Sequence, residues 1–277
     1  MKTKIFPARI HVLLARESHT AVIIRRGPSK TVASMLWDRS NDTFSMGQWL
    51  KGRIYERRSD LSPNGRHLIY FAMKGSSAKF SWTAVSRAPY LKALDFIEKG
   101  DCWEGGGLFS SDASYWLNDR YYSQNKMLDM KSGLKCDPNT RPETHFGAEC
   151  TGVYYPRLIR DGWTLTKRSE RGQWDSETVF EKHLTGNWIL RKIAHEQIGS
   201  PVGKGCYWDE HEIENTKSDN IIRCPDWEWA EWDQGKLIWA ELGKLYRAGI
   251  GDETSLEPPK MLHDFTPHEF EAIAAPY

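Results

Sequence analysis

An all-β fold is what the sequence predicts: a five-bladed β-propeller, six blades being the alternative, with a short terminal helix and a single domain over residues 1–277. Three observations predict it. A turn-then-strand pattern returns at nearly equal spacing, strand-favouring aromatics abound (13 Trp, 11 Tyr and 10 Phe in 277 residues), and the length suits one large all-β domain as well as two average ones.

The pattern is plainest in "LSPNGRHLIYF" (Leu61 to Phe71), where Pro63-Asn64-Gly65 precedes an apolar run ending in aromatics. It returns in "FSSDASYWLND" (Phe109 to Asp119), "LIRDGWTLT" (Leu158 to Thr166), "LARESHTAVII" (Leu14 to Ile24) and "EWDQGKLIWA" (Glu231 to Ala240). Asn, Asp or Gly supplies the positive φ of a tight turn, and β-branched or aromatic bulk follows for a strand. With Glu17, Asn64, Asp112, Asp161 and Asp233 as turn anchors, the gaps are 47, 48, 49 and 72 residues. Such a unit cannot bury its own hydrophobic face, and a period of about 40–50 residues belongs to propeller blades stacked face to face. The long fourth gap places an insertion within His195 to Asp219. Helical patterns are confined to "PYLKALDFIEKG" (Pro89 to Gly100) and "TPHEFEAIA" (Thr266 to Ala274), the second with Thr266 as N-cap. The N-terminal strand "RIHVLLA" is expected to complete the last blade.

Ser62-Pro63-Asn64-Gly65 and the strand after it resemble the TolB-type and WD-type propeller repeat, whose hallmark is a Ser-Pro-Asp-Gly turn leading into a strand. Asn64 stands where that repeat has Asp, Ser110 to Ser114 fit loosely, and the other copies keep only the turn. The resemblance implies a β-propeller and no particular activity.

Composition excludes several classes. With 39% apolar and 27% charged residues the chain can bury a core, and no run approaches the ~18 apolar residues of a membrane span. The five cysteines (Cys102, Cys136, Cys150, Cys206, Cys224) are scattered without a CxxC pair, which points to free thiols in a cytoplasmic setting. Cys136, His145 and Cys150 lack the short spacing of a zinc knuckle. No metal or cofactor motif is present: GxSxG, HExxH, Walker and GxGxxG signatures are all missing. In "GDCWEGGGLF", Gly105 to Gly107 are expected to ease the inner strand of a blade past the crowded axis of the propeller.

Two chemical patterns remain. Residues 1–100 hold 18 Lys/Arg against 7 Asp/Glu, which admits nucleic acid or phosphate as a partner, although Arg25, Arg26, Arg53, Arg57, Arg58 and Arg66 fall among strands rather than in one block. Trp208, Trp227, Trp229, Trp232 and Trp239 lie among carboxylates, and indole faces with acids suit a carbohydrate site, for which Trp208, Trp227, Trp229 and Asp233 are the candidates. Acid and base roles in such an enzyme would fall to Asp60, Asp112, Asp161 and Asp233. The competing readings are that Trp packs between sheets and that turn carboxylates bond their own backbone. The function expected first is a non-enzymatic interaction module that binds another protein, without a membrane; carbohydrate binding or hydrolysis comes next, and nucleic-acid binding last.

Overall fold

The computed structural model describes residues 7–27, 30–74, 78–119, 126–147, 149–169, 177–197, 204–218, 220–251 and 255–277. They form five sheets and, among the described residues, one α-helix. The chain divides into two compact units, Met1–Arg157 with His268–Tyr277, and Leu158–Pro267.

In the first unit, β1 (Arg9–Leu14), β2 (Thr20–Arg26), β3 (Thr31–Asp38) and β4 (Thr43–Lys51) form an antiparallel meander. A second meander follows with β5 (Arg53–Leu61), β6 (His67–Met73), β7 (Ser81–Arg87) and β8 (Ala93–Glu98). The hairpin of β9 (Gly107–Ser111) and β10 (Ser114–Leu117) starts a third sheet. The chain then adds β11 (Lys126–Met130) beside β8 and the two-residue β12 (Lys135–Cys136) beside β10, the latter in parallel. Helix α1 (Cys150–Arg160) comes next.

The sequence of β6 explains its place. Leu68, Tyr70 and Ala72 pack with Leu13, Val22, Ile24 and Val32 of the first sheet, while Ile69, between them, packs with Phe109, Tyr115 and Leu117 of the third. Successive side chains of a strand point to opposite faces, so a near-continuous apolar run is what a sheet covered on both sides requires. β2 and β6 are accordingly buried along almost their whole length.

The second unit holds β13 (Thr164–Lys167), β14 (Glu177–His183), β15 (Trp188–Glu196), β16 (Tyr207–Asn215) and β17 (Asn220–Cys224) in one meander. β18 (Trp227–Asp233), β19 (Lys236–Glu241), β20 (Lys244–Ala248) and β21 (Lys260–Asp264) form another. In β15 and β16 burial alternates residue by residue, the mark of a sheet with one covered face.

Four of the five turn anchors sit in hairpins: Glu17 between β1 and β2, Asn64 between β5 and β6, Asp112 between β9 and β10, and Asp233 at the end of β18 where the chain turns into β19. Three of these turns are bonded in series. Glu17 N donates to Pro63 O (2.9 Å), Ser18 Oγ donates to Asn64 O (3.0 Å), and Asn64 N donates to Asp112 Oδ1 (2.8 Å). Within its own turn the Asn64 side-chain oxygen accepts from Ser62 Oγ and Arg66 N, both at 2.9 Å, the work an Asp would do there. Asp161 instead follows the helix.

Several expectations are corrected. Pro89 to Gly100 is not helical but contains β8, because Asp95 is buried there to accept from Tyr115 OH, Ser132 N and Ser132 Oγ. Thr266 to Ala274 is not helical either: Asp264 Oδ1 takes the Thr266 N–H (2.9 Å), and the tail His268–Tyr277 packs within the first unit, with Gln48 Nε2 donating to Ile273 O (2.8 Å) and Tyr277 OH to Lys92 O (2.8 Å). A helix that short has little stability of its own, so tertiary contacts decide. Within His195 to Asp219, where the long gap places an insertion, lies β16, paired on both sides; residues 198–203 and 219 lie outside the described residues. The N-terminal strand pairs with β2 in the first sheet, and β21 ends the last one.

Two partly buried groups contribute to the acid limb of stability. Partial burial, with Arg87 beside it, pushes the His67 imidazole below its ordinary 6.5. Burial alone would raise the Glu56 carboxyl, but Arg26 and Arg57 outweigh it and hold the group below its ordinary 4.5. For both, the unfolded chain binds protons that the folded chain refuses, so stability falls with falling pH. The loss begins near pH 6.5 through His67 and gains a second phase below about pH 4.5 through Glu56. In urea titrations from pH 8 to 4, His67→Gln should flatten the first phase only; an unchanged profile would remove His67 from this role.

Candidate functional site

The loop Asp101–Gly106 is tightly constrained. Glu104, Gly105 and Gly106 take positive φ in succession (59°, 81°, 75°), unusual for Glu104 and typical of segments the surroundings hold in place. Arg58, on β5 and 2% exposed, supplies that hold: its guanidinium donates to Cys102 O (2.8 Å), Glu104 O and Glu149 Oε2 (3.2 Å), and lies over Tyr55 and Phe71. Gly105 N donates to Asn118 O, Asn118 N to Gly106 O, and Gly106 N to Thr83 Oγ1, all at 2.8–2.9 Å. A Cβ on Gly106 would stand 1.8 Å from Arg58 O, and one on Gly107 2.1 Å from Trp116 O. The glycine run thus lets the backbone pass close to β5 and β10.

The loop has two sides. On one, Trp103 is 60% exposed. Ser81 Oγ donates to Asp101 O (2.5 Å), which brings Phe80, 62% exposed, to the same end of the second sheet. On the other, Glu104 lines a cleft of about 260 Å³ together with Trp116, Asn118, Asp119, Arg141, His145 and Phe146. Behind the carboxylates lies the Lys99 ammonium, 3.5 Å from Asp119 Oδ1, 3.7 Å from Glu104 Oε2 and 3.9 Å from Asp101 Oδ2. Trp116 and Asn118 are buried, whereas Arg141 and His145 are exposed at the rim. Phe146 is fixed by Thr151 Oγ1 donating to its carbonyl (2.5 Å) and by an edge contact with Tyr155.

The carbohydrate candidates lie in the second unit. Trp227 stacks on Trp239 (4.6 Å between ring centroids), which stacks on Tyr246 (5.6 Å), a ladder across β18, β19 and β20. Trp227 and Trp229 are buried, Trp208 stacks on its cross-strand neighbour His195 (3.9 Å), and Asp233 is half-buried in its turn. Asp60 Oδ2 accepts from Phe109 N (2.8 Å) and Asp112 from Asn64 N, both in the first unit; Asp161 pairs with Arg160 in the second. Trp163 Nε1 donates to Glu231 Oε2 (2.9 Å), and Lys182 reaches Glu231 Oε1 (2.6 Å). Deeper, His211 Nδ1 donates to Trp227 O, which leaves Nε2 to accept from the buried Lys192 (2.8 Å).

Of the basic residues in the first third, Arg25, Arg39, Arg57 and Arg58 are buried, spent on interior hydrogen bonds and aromatic faces. Cys136 and His145 both line the cleft, while Cys150 is buried and accepts from Arg58 Nε (3.4 Å), its thiol pushed up by burial. Among the described residues no group of three His, Cys, Asp or Glu side chains is placed to hold a metal ion. Among the same residues no helix is long and apolar enough to cross a membrane.

Fold and site together define an all-β chain of small antiparallel sheets with a rigid, aromatic-bearing loop at one end of the second. No protein-family model matches the chain, and no curated protein does. The solved structure of an uncharacterized protein from Listeria monocytogenes EGD-e aligns with 96% of this chain and 85% of that one at 10% identity, with a TM-score of 0.31, too low to bear on fold or function.

Proposed function

We propose that the chain is a non-enzymatic interaction module that docks another protein on the Trp103–Phe80 edge, its five sheets being the blades of one β-propeller. Exposure of two large aromatics at one end of the second sheet, one of them on a loop locked from beneath, carries the reading. Aromatic side chains dominate the energetics of protein interfaces, and a loop already rigid loses little entropy when a partner binds. The series of bonded hairpin turns supports the blade reading, and a crystal structure with all five turn anchors on one ring would establish it.

A photo-crosslinking amino acid at position 103 tests the docking site in cells. The expected result is one discrete cross-linked protein that co-purifies with the wild-type chain in stoichiometric amount. Trp103→Ala with Phe80→Ala should weaken that association at least tenfold while leaving the circular dichroism unchanged, since hot-spot truncations cost about 2 kcal/mol or more. Retention of the partner by the double variant, or the absence of any discrete adduct, would overturn the reading.

A further inference from the structure

The end of the first unit where β2 passes to β3, β4 to β5 and β6 to β7 is strongly basic. Its connections read "GPSK" (Gly27 to Lys30), "KGR" (Lys51 to Arg53) and "KGSSAKF" (Lys74 to Phe80), with no acid in any of them. Gly52 draws the three together: its N–H donates to Lys30 O (2.7 Å), and a Cβ on it would stand 2.5 Å from the carbonyl of Met73, the residue before Lys74. Lys30, Lys51, Arg53 and Lys74 are thus gathered around one buried glycine, and all four are exposed. Among the described residues none of the four has a carboxylate partner, and Glu56 on β5 is taken by Arg26. Beside them stands Phe80, 62% exposed, its carbonyl accepting from Lys74 N (2.9 Å). Like charges held together repel one another, a cost that an anionic ligand removes.

We propose that this end binds a single strand of nucleic acid, with phosphates on Lys30, Lys51, Arg53 and Lys74 and a base stacked on Phe80. Three of the four cations are lysines, compact point charges on flexible stems that follow a repeating phosphate chain without demanding one geometry. An exposed aromatic beside such cations gives a base its stacking platform, and every base has a face to offer. A duplex keeps its bases stacked within itself and leaves Phe80 without one. An acidic peptide answers the charge but brings no regular series of flat rings. The counter-charges at hand are few. Phe270 of the tail lies on Lys51 (4.5 Å from Nζ to the ring centroid), so its chain neighbours Glu269 and Glu271 set two carboxylates against four cations; Glu98 and Asp101 belong to the next connection, β8 to β9. The site shares only Phe80 with the docking edge and needs no protein partner, so cross-linking at position 103 does not decide it.

Fluorescence anisotropy of the purified full chain with labelled oligothymidylate and oligouridylate, each longer than the ~4–16 nucleotides such sites occupy, tests this. The expected result is saturable binding whose log affinity falls linearly with log salt at about −0.7 per phosphate, or about −3 for four contacts. A duplex of the same length should bind at least tenfold more weakly at equal salt. Lys51→Ala with Lys74→Ala, both at exposed positions, should weaken binding about tenfold and halve the salt slope, with the circular dichroism unchanged. Phe80→Ala should weaken binding about fivefold or more and leave the slope alone, because stacking releases no counterions. Arg66→Ala, an exposed cation in the β5–β6 turn and outside the patch, should change neither. The proposal is overturned by absence of salt-dependent binding, by a duplex bound as tightly, or by full affinity in the Lys51/Lys74 variant. An equal loss in Arg66→Ala would also sink it, and so would displacement of the oligonucleotide by poly-L-glutamate as readily as by unlabelled strand, which would name an acidic protein as the ligand instead.

Discussion

Gly106→Ala should destabilise the first unit by about 3–5 kcal/mol, a large part of the ~5–15 kcal/mol that holds a domain folded. Two effects add. At φ +75° an L side chain is strained by about 1 kcal/mol relative to Gly. The larger effect is steric: the new Cβ would stand 1.8 Å from Arg58 O, a backbone carbonyl of β5, which cannot swing aside as the end of a side chain can. Gly235→Ala is the control, since Gly235 has φ +72° and nothing within 4 Å of its Cβ, so about 1 kcal/mol is expected. Urea midpoints of the two variants compare the sites directly. Equal losses would mean that β5 and the loop are not in close backbone contact.

Arg58→Ala should cost a similar ~3–5 kcal/mol, the range for removing one partner from a buried charged network. The guanidinium satisfies two loop carbonyls and Glu149, and its flat faces cover Tyr55 and Phe71, so truncation leaves acceptors without a donor and a cavity between rings. Here the loop should loosen before the unit unfolds, and limited proteolysis between Cys102 and Glu104 should accelerate at least tenfold under native conditions. Arg58→Lys should rescue little, because an ammonium lacks the planar fork that reaches both carbonyls. Wild-type resistance of the loop in Arg58→Ala would assign the constraint to the glycines alone. Combined with Gly106→Ala, the losses should fall short of additive, since both act on one contact.

The same two residues show how far the sequence could be read. "EGGG" announced a backbone that must pass close to something, because glycine runs are costly elsewhere; that the something is the carbonyl of Arg58, 48 residues earlier, is a property of sheet packing. "SPNG" announced its own turn, since Ser62, Asn64 and Gly65 make the bonds locally. It could not announce that Asp112 would reach back to Asn64 N. Helix α1 went unread for a related reason: "CTGVYYPRLIR" has Gly, β-branched residues and an internal Pro156, all poor helix formers, and it is helical because Val153, Tyr154 and Tyr155 find a buried surface. The cleft was illegible as well, since Lys99, Glu104 and Asp119 look like ordinary surface charges among polar neighbours.

By itself the sequence determined what depends on neighbours along the chain: an all-β character, the hairpin turns, the strands long enough to carry apolar runs on both faces. Tertiary structure alone decided which charges lie inside, because burying Arg58, Lys99 or Asp95 is favourable only where carbonyls, carboxylates and hydroxyls from distant strands converge to replace water.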